Sequence, residues 1–104
     1  LLERYIERLA QLIAEIAESV PPAVGTFLLT SRQSVREIVA QQRRCRVNTI
    51  QIVDRLEEGT YADLKGELPG VSIVQVIHVA DEESFDEACR AAEAGANALL
   101  LDSG

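Results

Sequence analysis

The sequence predicts an α/β fold in which helices and strands alternate around a parallel sheet, and three observations carry that prediction. Strand-like apolar runs begin at Val24, Val47, Val71 and Ala96, so a strand-plus-helix unit recurs about every 24 residues, the length of a βα unit. These runs are nearly continuous in apolar residues, with no polar face, as expected of parallel strands covered on both sides. Between them the spacing returns to helical, with caps at the starts and glycine or proline at the stops.

Residues 1 to 19 contain neither glycine nor proline and place Leu2, Ile6, Leu9, Ile13, Ile16 and Val20 at alternating steps of four and three. The segment is predicted as one amphipathic helix whose stripe packs on the sheet, ended by Pro21 and Pro22. AVGTFLLT follows as a buried strand, and Ser34 stands where a cap is needed for the helix SVREIVAQQRR. RVNTIQIVD reads as the second strand. Gly59 and Thr60 open a short helix, TYADLKGEL, which Pro69 and Gly70 terminate before the strand VSIVQVIHV. Asp81 is a candidate N-cap with Glu82 and Glu83 in the first turn, Gly95 supplies a left-handed stop, and NALLLDS is the last strand.

At 104 residues and 47% apolar content the chain is expected to form one domain, residues 1–104, with a small core. Seventeen acidic against ten basic residues give a formal charge of −7, which repels phosphate backbones and anionic membrane surfaces, so nucleic-acid and membrane partners are not expected. The basic cluster Arg43, Arg44 and Arg46 reads as the solvated end of a helix, where cations suit the dipole. Cys45 and Cys89 lack CxxC spacing and the only histidine, His78, has no neighbouring ligand in sequence, so neither a disulfide framework nor a metal site is expected. No apolar run reaches the ~18 residues of a membrane span and no targeting signature precedes the first helix, which together suggest a cytoplasmic protein. Phosphate-cradling glycine motifs are missing, and no cofactor is expected.

Gln51, Gln75 and Asp102 interrupt otherwise apolar strands, and burying an unpartnered amide or carboxylate costs several kcal/mol. In parallel α/β folds the sites lie outside the carboxyl ends of the strands, where Asp54 and Asp102 fall. Asp54 is read as capping the turn into the next helix. Asp102, with no helix after it in this sequence, is the candidate acid. His78 reads as a rim or hydrogen-bonded residue rather than as a catalyst.

The stretches VGTFLLT (24–30), NTIQIVD (48–54), PGVSIVQVIHV (69–79) and ANALLLDSG (96–104) together resemble, in order and spacing, the third to sixth strands of phosphoribosylanthranilate isomerase, a (β/α)8 barrel. The resemblance covers roughly residues 12 to 104, with LLLDSG its most specific element. It implies an Amadori rearrangement in tryptophan biosynthesis, carried out without cofactor or metal, in which Asp102 is the general acid that protonates the ribose ring oxygen. It implies that Gln51 lines the substrate pocket, and Gln75 is taken with it as substrate-binding. Val53 stands where the family has histidine, Asp54 where it has glycine and Leu29 where asparagine is common. The family's catalytic base, a cysteine on the first barrel strand, has no match here, since Cys45 follows a helix and Cys89 lies in one; the phosphate-gripping seventh and eighth strands are likewise unmatched.

The expected architecture is therefore half of a TIM barrel with an extended N-terminal helix, as in an appended or designed segment; the alternative is an open flavodoxin-like sheet. The expected function is that of an isomerase fragment or derivative, inactive alone, with a structural or designed self-assembling α/β module as the alternative. Two open edges and an uncovered inner face would favour self-association into a homo-oligomer, and a sugar phosphate is the expected ligand.

Overall fold

The computed structural model describes residues 1–104 and alternates helix and strand throughout: α1 (Leu2–Ser19), β1 (Phe27–Thr30), α2 (Val35–Cys45), β2 (Thr49–Ile52), α3 (Tyr61–Glu67), β3 (Ser72–His78), α4 (Glu82–Glu93) and β4 (Ala98–Asp102). The four strands form one sheet in the order β1-β2-β3-β4, and every pair is parallel. That order is sequential, as along the wall of a (β/α)8 barrel. A flavodoxin-like sheet instead places its first strand between the second and third, a reversal this sheet lacks.

Right-handed crossovers between sequential parallel strands put all connecting helices on one face. The core confirms it: Ile50, Ile52 and Ile73 on the sheet pack with Ile38 and Val39 of α2 and with Leu64 and Leu68 at α3. The other face carries no layer. Phe27 is 53% exposed, Leu29 61% and Leu100 45%, so the nearly continuous apolar pattern reflects two non-solvent-like faces of which only one is covered within this chain. On the central strand, Val74 and Val76 are nonetheless buried on that helix-free face.

Local signals explain most boundaries. Ser34 caps α2 by accepting from Glu37 N, Thr60 and Asp63 form a capping box at α3, and Asp81 caps α4. Thr60, not Asp54, therefore opens α3; Asp54 lies earlier, in the loop after β2. β1 begins at Phe27 rather than Ala23 because Pro21 to Ala23 form a turn and Ala23 adopts φ 77°. β2 begins at Thr49 rather than Arg46 because Arg46 is the left-handed C-cap of α2, φ 57°, a backbone state that ends helices and cannot extend a strand. Gly95, φ 110°, ends α4 as expected.

The N-terminal helix departs from its expected packing. α1 rests on α2, and the residues it buries are Ala10 and Ala14, with Ile13 and Ala17 at the margin of the core. Leu2, Ile6, Leu9 and Ile16 of the expected stripe remain exposed. The reason is positional: α1 precedes the edge strand β1, so its close neighbour is a helix, and alanines permit the close approach of two backbones. An Arg46–Glu18 ion pair of 2.7 Å ties the end of α2 to α1, and Arg43–Glu67 of 3.0 Å ties α2 to α3. The basic cluster is thus largely engaged as the cationic end of α2. No helix is long and apolar enough to cross a membrane.

Candidate functional site

The strand register decides which polar residues share a face. Gln51 is level with Val74, Val74 is level with Ala98, and His78 is level with Asp102. Side chains alternate along a strand, so Gln51, Val74, Val76, His78, Ala98, Leu100 and Asp102 point to one face, the one without helices. Gln75 points to the other.

Gln75 is accordingly not beside Asp102. It is 2% exposed on the helix side, near Tyr61, Ile77 and Ala91. Its Oε1 accepts the Tyr61 hydroxyl at 2.6 Å, and its Nε2 donates to the Ile52 and Asp54 carbonyls at 3.1 and 3.0 Å. The polar intrusion at position 75 is thereby satisfied within the chain, and its amide joins the ends of β2 and β3 to the start of α3. Burial, with Glu87 nearby as a second cause, raises the Tyr61 phenol above its usual value, which keeps the hydroxyl a donor to Gln75.

Gln51 and Asp102 do share a face, at different heights. Asp102 lies four residues beyond Ala98, the residue level with Gln51, a displacement of ~13 Å along the strands at ~3.3 Å per residue. Gln51 is half-buried within the sheet, whereas Asp102 sits at the tip.

At that tip the structure assembles a pair that sequence reasoning missed. His78 ends β3 as Asp102 ends β4, and Val79 N donates to the Asp102 carbonyl at 2.8 Å, which locks the two strand ends together. His78 Nδ1 lies 3.8 Å from Asp102 Oδ2, and His78 Nε2 lies 3.0 Å from the Val53 carbonyl oxygen. Asp102 Oδ1 accepts from Gly104 N at 3.0 Å. Val53 therefore contributes its backbone carbonyl to a histidine that arrives from the next strand. The signal was present in the sequence: VSIVQVIH and ALLLD each close an apolar run with a titratable residue, and equal strand ends bring those residues level.

The loops behind this tip are braced. Ser34 and Glu58 form a parallel bridge, Val35 N donates to the Glu58 carbonyl, and the Gln33 carbonyl accepts from Glu57 N and Glu58 N. Gln33 Nε2 donates to the Arg55 carbonyl at 2.9 Å. The connections leaving β1 and β2 thus hold each other, on a scaffold whose next two strands present Asp102 and His78.

Other concave features lie away from the tip. A wide groove between α2 and α3, lined by Val39, Ala40, Arg43, Ala62 and Gly66, is on the helix side. Cys45 is buried and Cys89 half-buried, both free; burial raises the Cys45 thiol, and Arg44 opposes that only in part, so Cys45 is held as an inert thiol away from the strand ends. No group of three histidine, cysteine or acidic side chains is placed to hold a metal ion. Compared with known proteins, the chain matches no family model, no curated protein and no solved structure.

Proposed function

We propose that this chain is the acid-bearing central segment of a phosphoribosylanthranilate isomerase-type barrel, and that Asp102 is the general acid of its sugar-phosphate site. The observation that carries the reading is the position of Asp102: the last residue of the last strand in a sequential parallel sheet, on the helix-free face that would line a barrel lumen. Gln51, half-buried on the same face and deeper along it, is assigned to the pocket wall. Gln75, spent on Tyr61 and the Ile52 and Asp54 carbonyls, is assigned to holding the scaffold.

In this role the Asp102 carboxyl gives its proton to the ribose ring oxygen as the ring opens, and the anthranilate nitrogen lone pair forms the imine. Neither thiol lies on that face to remove the following proton, the one imidazole there, His78, is bonded to the Val53 carbonyl at the strand tip, and four strands give half of the eight that close such a barrel. Proton abstraction and positioning are each worth orders of magnitude in rate, so the isolated chain turns over no phosphoribosylanthranilate.

The test is a nuclear magnetic resonance titration of the labelled chain with the reaction product, carboxyphenylamino-deoxyribulose phosphate, at millimolar concentration. Shifts concentrated at Gln51, His78 and Asp102, with Tyr61 and Gln75 unmoved, support the assignment. Shifts in the groove between α2 and α3, or none at all, refute it.

A second reading, self-association as an assembly module, is favoured by one observation: apolar residues crowd the two unpaired edges and the bare face, including Phe27, Leu29 and Leu100. Two chains covering those surfaces in each other would relieve that exposure. Equilibrium sedimentation separates the outcomes, since a monomer at every concentration eliminates this reading.

A further inference from the structure

We infer that His78 is the positioning residue for the Asp102 carboxyl, fixed from behind by the Val53 carbonyl so that its free ring nitrogen addresses the acid. This inference rests on the acid role proposed for Asp102.

The geometry fixes one ring proton. A carbonyl oxygen only accepts, so the 3.0 Å contact between His78 Nε2 and Val53 O places a proton on Nε2. In the neutral ring Nδ1 is then the acceptor, and Nδ1 is the atom facing Asp102 Oδ2 at 3.8 Å. A carboxylic proton on Oδ2 therefore has Nδ1 as its nearest acceptor, and a second ring proton on Nδ1 has the carboxylate as its nearest acceptor. The backbone holds the two groups there, because His78 and Asp102 are partners in register and Val79 N donates to the Asp102 carbonyl.

The consequence for the reaction is directional. Asp102 Oδ1 accepts from Gly104 N, which turns Oδ2 toward the ring at 3.8 Å, so the carboxyl is anchored through one oxygen and faces Nδ1 with the other. When Asp102 gives its proton to the ribose ring oxygen, the electron pair of the cleaved C–O bond stays on that oxygen, the nitrogen lone pair completes the C=N bond, and a carboxylate remains. A ring proton on His78 Nδ1, taken up from water, then passes to that carboxylate and restores the acid. His78 touches neither the ribose oxygen nor the reacting carbon in this scheme; it acts through Asp102.

Both side chains are more than half exposed, at 56% and 53%, so the contact contributes orientation rather than stability, and variants at either position keep the fold. His78 is the only histidine, which makes its ring nitrogens directly observable in a chain carrying labelled histidine. The first arm uses the free chain: Asp102→Asn displaces the Nδ1 resonance and leaves Nε2 a donor, whereas Asp54→Asn moves neither. The second arm measures affinity for carboxyphenylamino-deoxyribulose phosphate. His78→Gln and Asp102→Asn each weaken it about fivefold and the double variant weakens it no further, the signature of two groups acting as one.

An Nδ1 resonance indifferent to Asp102→Asn overturns the inference whatever the ligand does. Losses that multiply to about 25-fold in the double variant overturn it too, because independent groups behave that way. A responsive Nδ1 in a chain that binds no product overturns the isomerase reading instead, while upholding the contact. Unchanged urea midpoints in all variants keep each arm interpretable.

Discussion

The Tyr61 hydroxyl donates a 2.6 Å hydrogen bond to Gln75 Oε1, across the helix-side face of the sheet and 14 residues apart in sequence. With the Ile52 and Asp54 carbonyls on Nε2, this makes Gln75 a buried junction between the end of β2, β3 and α3. Replacing it with leucine preserves volume but leaves the Tyr61 hydroxyl without its acceptor and the Asp54 carbonyl without the amide donor. Gln75→Leu is expected to cost about 2–3 kcal/mol, read from urea unfolding, because an unsatisfied buried group forfeits its full desolvation energy. Affinity for the product should be unaffected, since position 75 faces away from Asp102.

Tyr61 also gives the fold an alkaline limit. Its phenol is raised by burial first and by Glu87 second, so the native state holds that proton more tightly than the unfolded chain, whose tyrosine titrates near 10.0. Below that value both states are protonated and the contribution to stability is fully present. As pH rises from there through the native value, the unfolded state ionises first and stability falls. Cys45, raised by burial from 9.0, acts in the same direction from a lower starting point. Urea midpoints measured on both sides of pH 10 should drop more steeply in the wild type than in Tyr61→Phe, with the Cys45 share left in both. Equal slopes would remove Tyr61 from this account.

Two glycines should respond in opposite directions to the same change. Gly59 has φ +96°, and a Cβ there would collide with Val35 Cγ2, against the braced loop before α3. Gly66 lies within α3 with a helical backbone and open space where its Cβ would be. Gly59→Ala is therefore expected to destabilise by about 2 kcal/mol or more through strain and overpacking. Gly66→Ala should stabilise by ~0.5–1 kcal/mol through helix propensity and unfolded-chain entropy. Thermal unfolding of the two single variants checks both signs.

Much of this fold was legible because punctuation and period agreed. Ser34, Thr60, Asp81 and Gly95 each do at their helix ends what their side chains, or the lack of one, permit. The apolar runs gave the strands, trimmed where a left-handed Arg46 and the Pro21–Ala23 turn intervened. Which face a strand residue occupies was less accessible. Gln51 and Gln75 look alike in sequence, yet parity with the isoleucines Ile50, Ile52, Ile73 and Ile77 separates them: Gln75 alternates in step with Ile73 and Ile77, on the packed side, whereas Gln51 falls between Ile50 and Ile52, on the bare side. The His78–Asp102 pair needed the register of β3 and β4, a non-local quantity. The packing face of α1 was misread because large aliphatic residues dominated its pattern, while the contact is made by alanines.

That last difference leads to a sharp contrast within one helix. Ala14 is 1% exposed where α1 meets α2, so a larger side chain there must push the helices apart. Ala14→Leu is expected to cost about 1–3 kcal/mol, the usual penalty for adding volume to a packed contact. Ile16, two residues on, is 66% exposed and touches little that folding buries. Ile16→Ser should leave stability within about 0.5 kcal/mol of the wild type. Had α1 packed through its large aliphatic stripe, the order would invert, with Ile16→Ser costly and Ala14→Leu mild. Urea midpoints decide between the two faces at low protein concentration. Repeating both at high concentration shows whether the exposed stripe is covered by another chain, because only then does Ile16→Ser acquire a concentration-dependent cost.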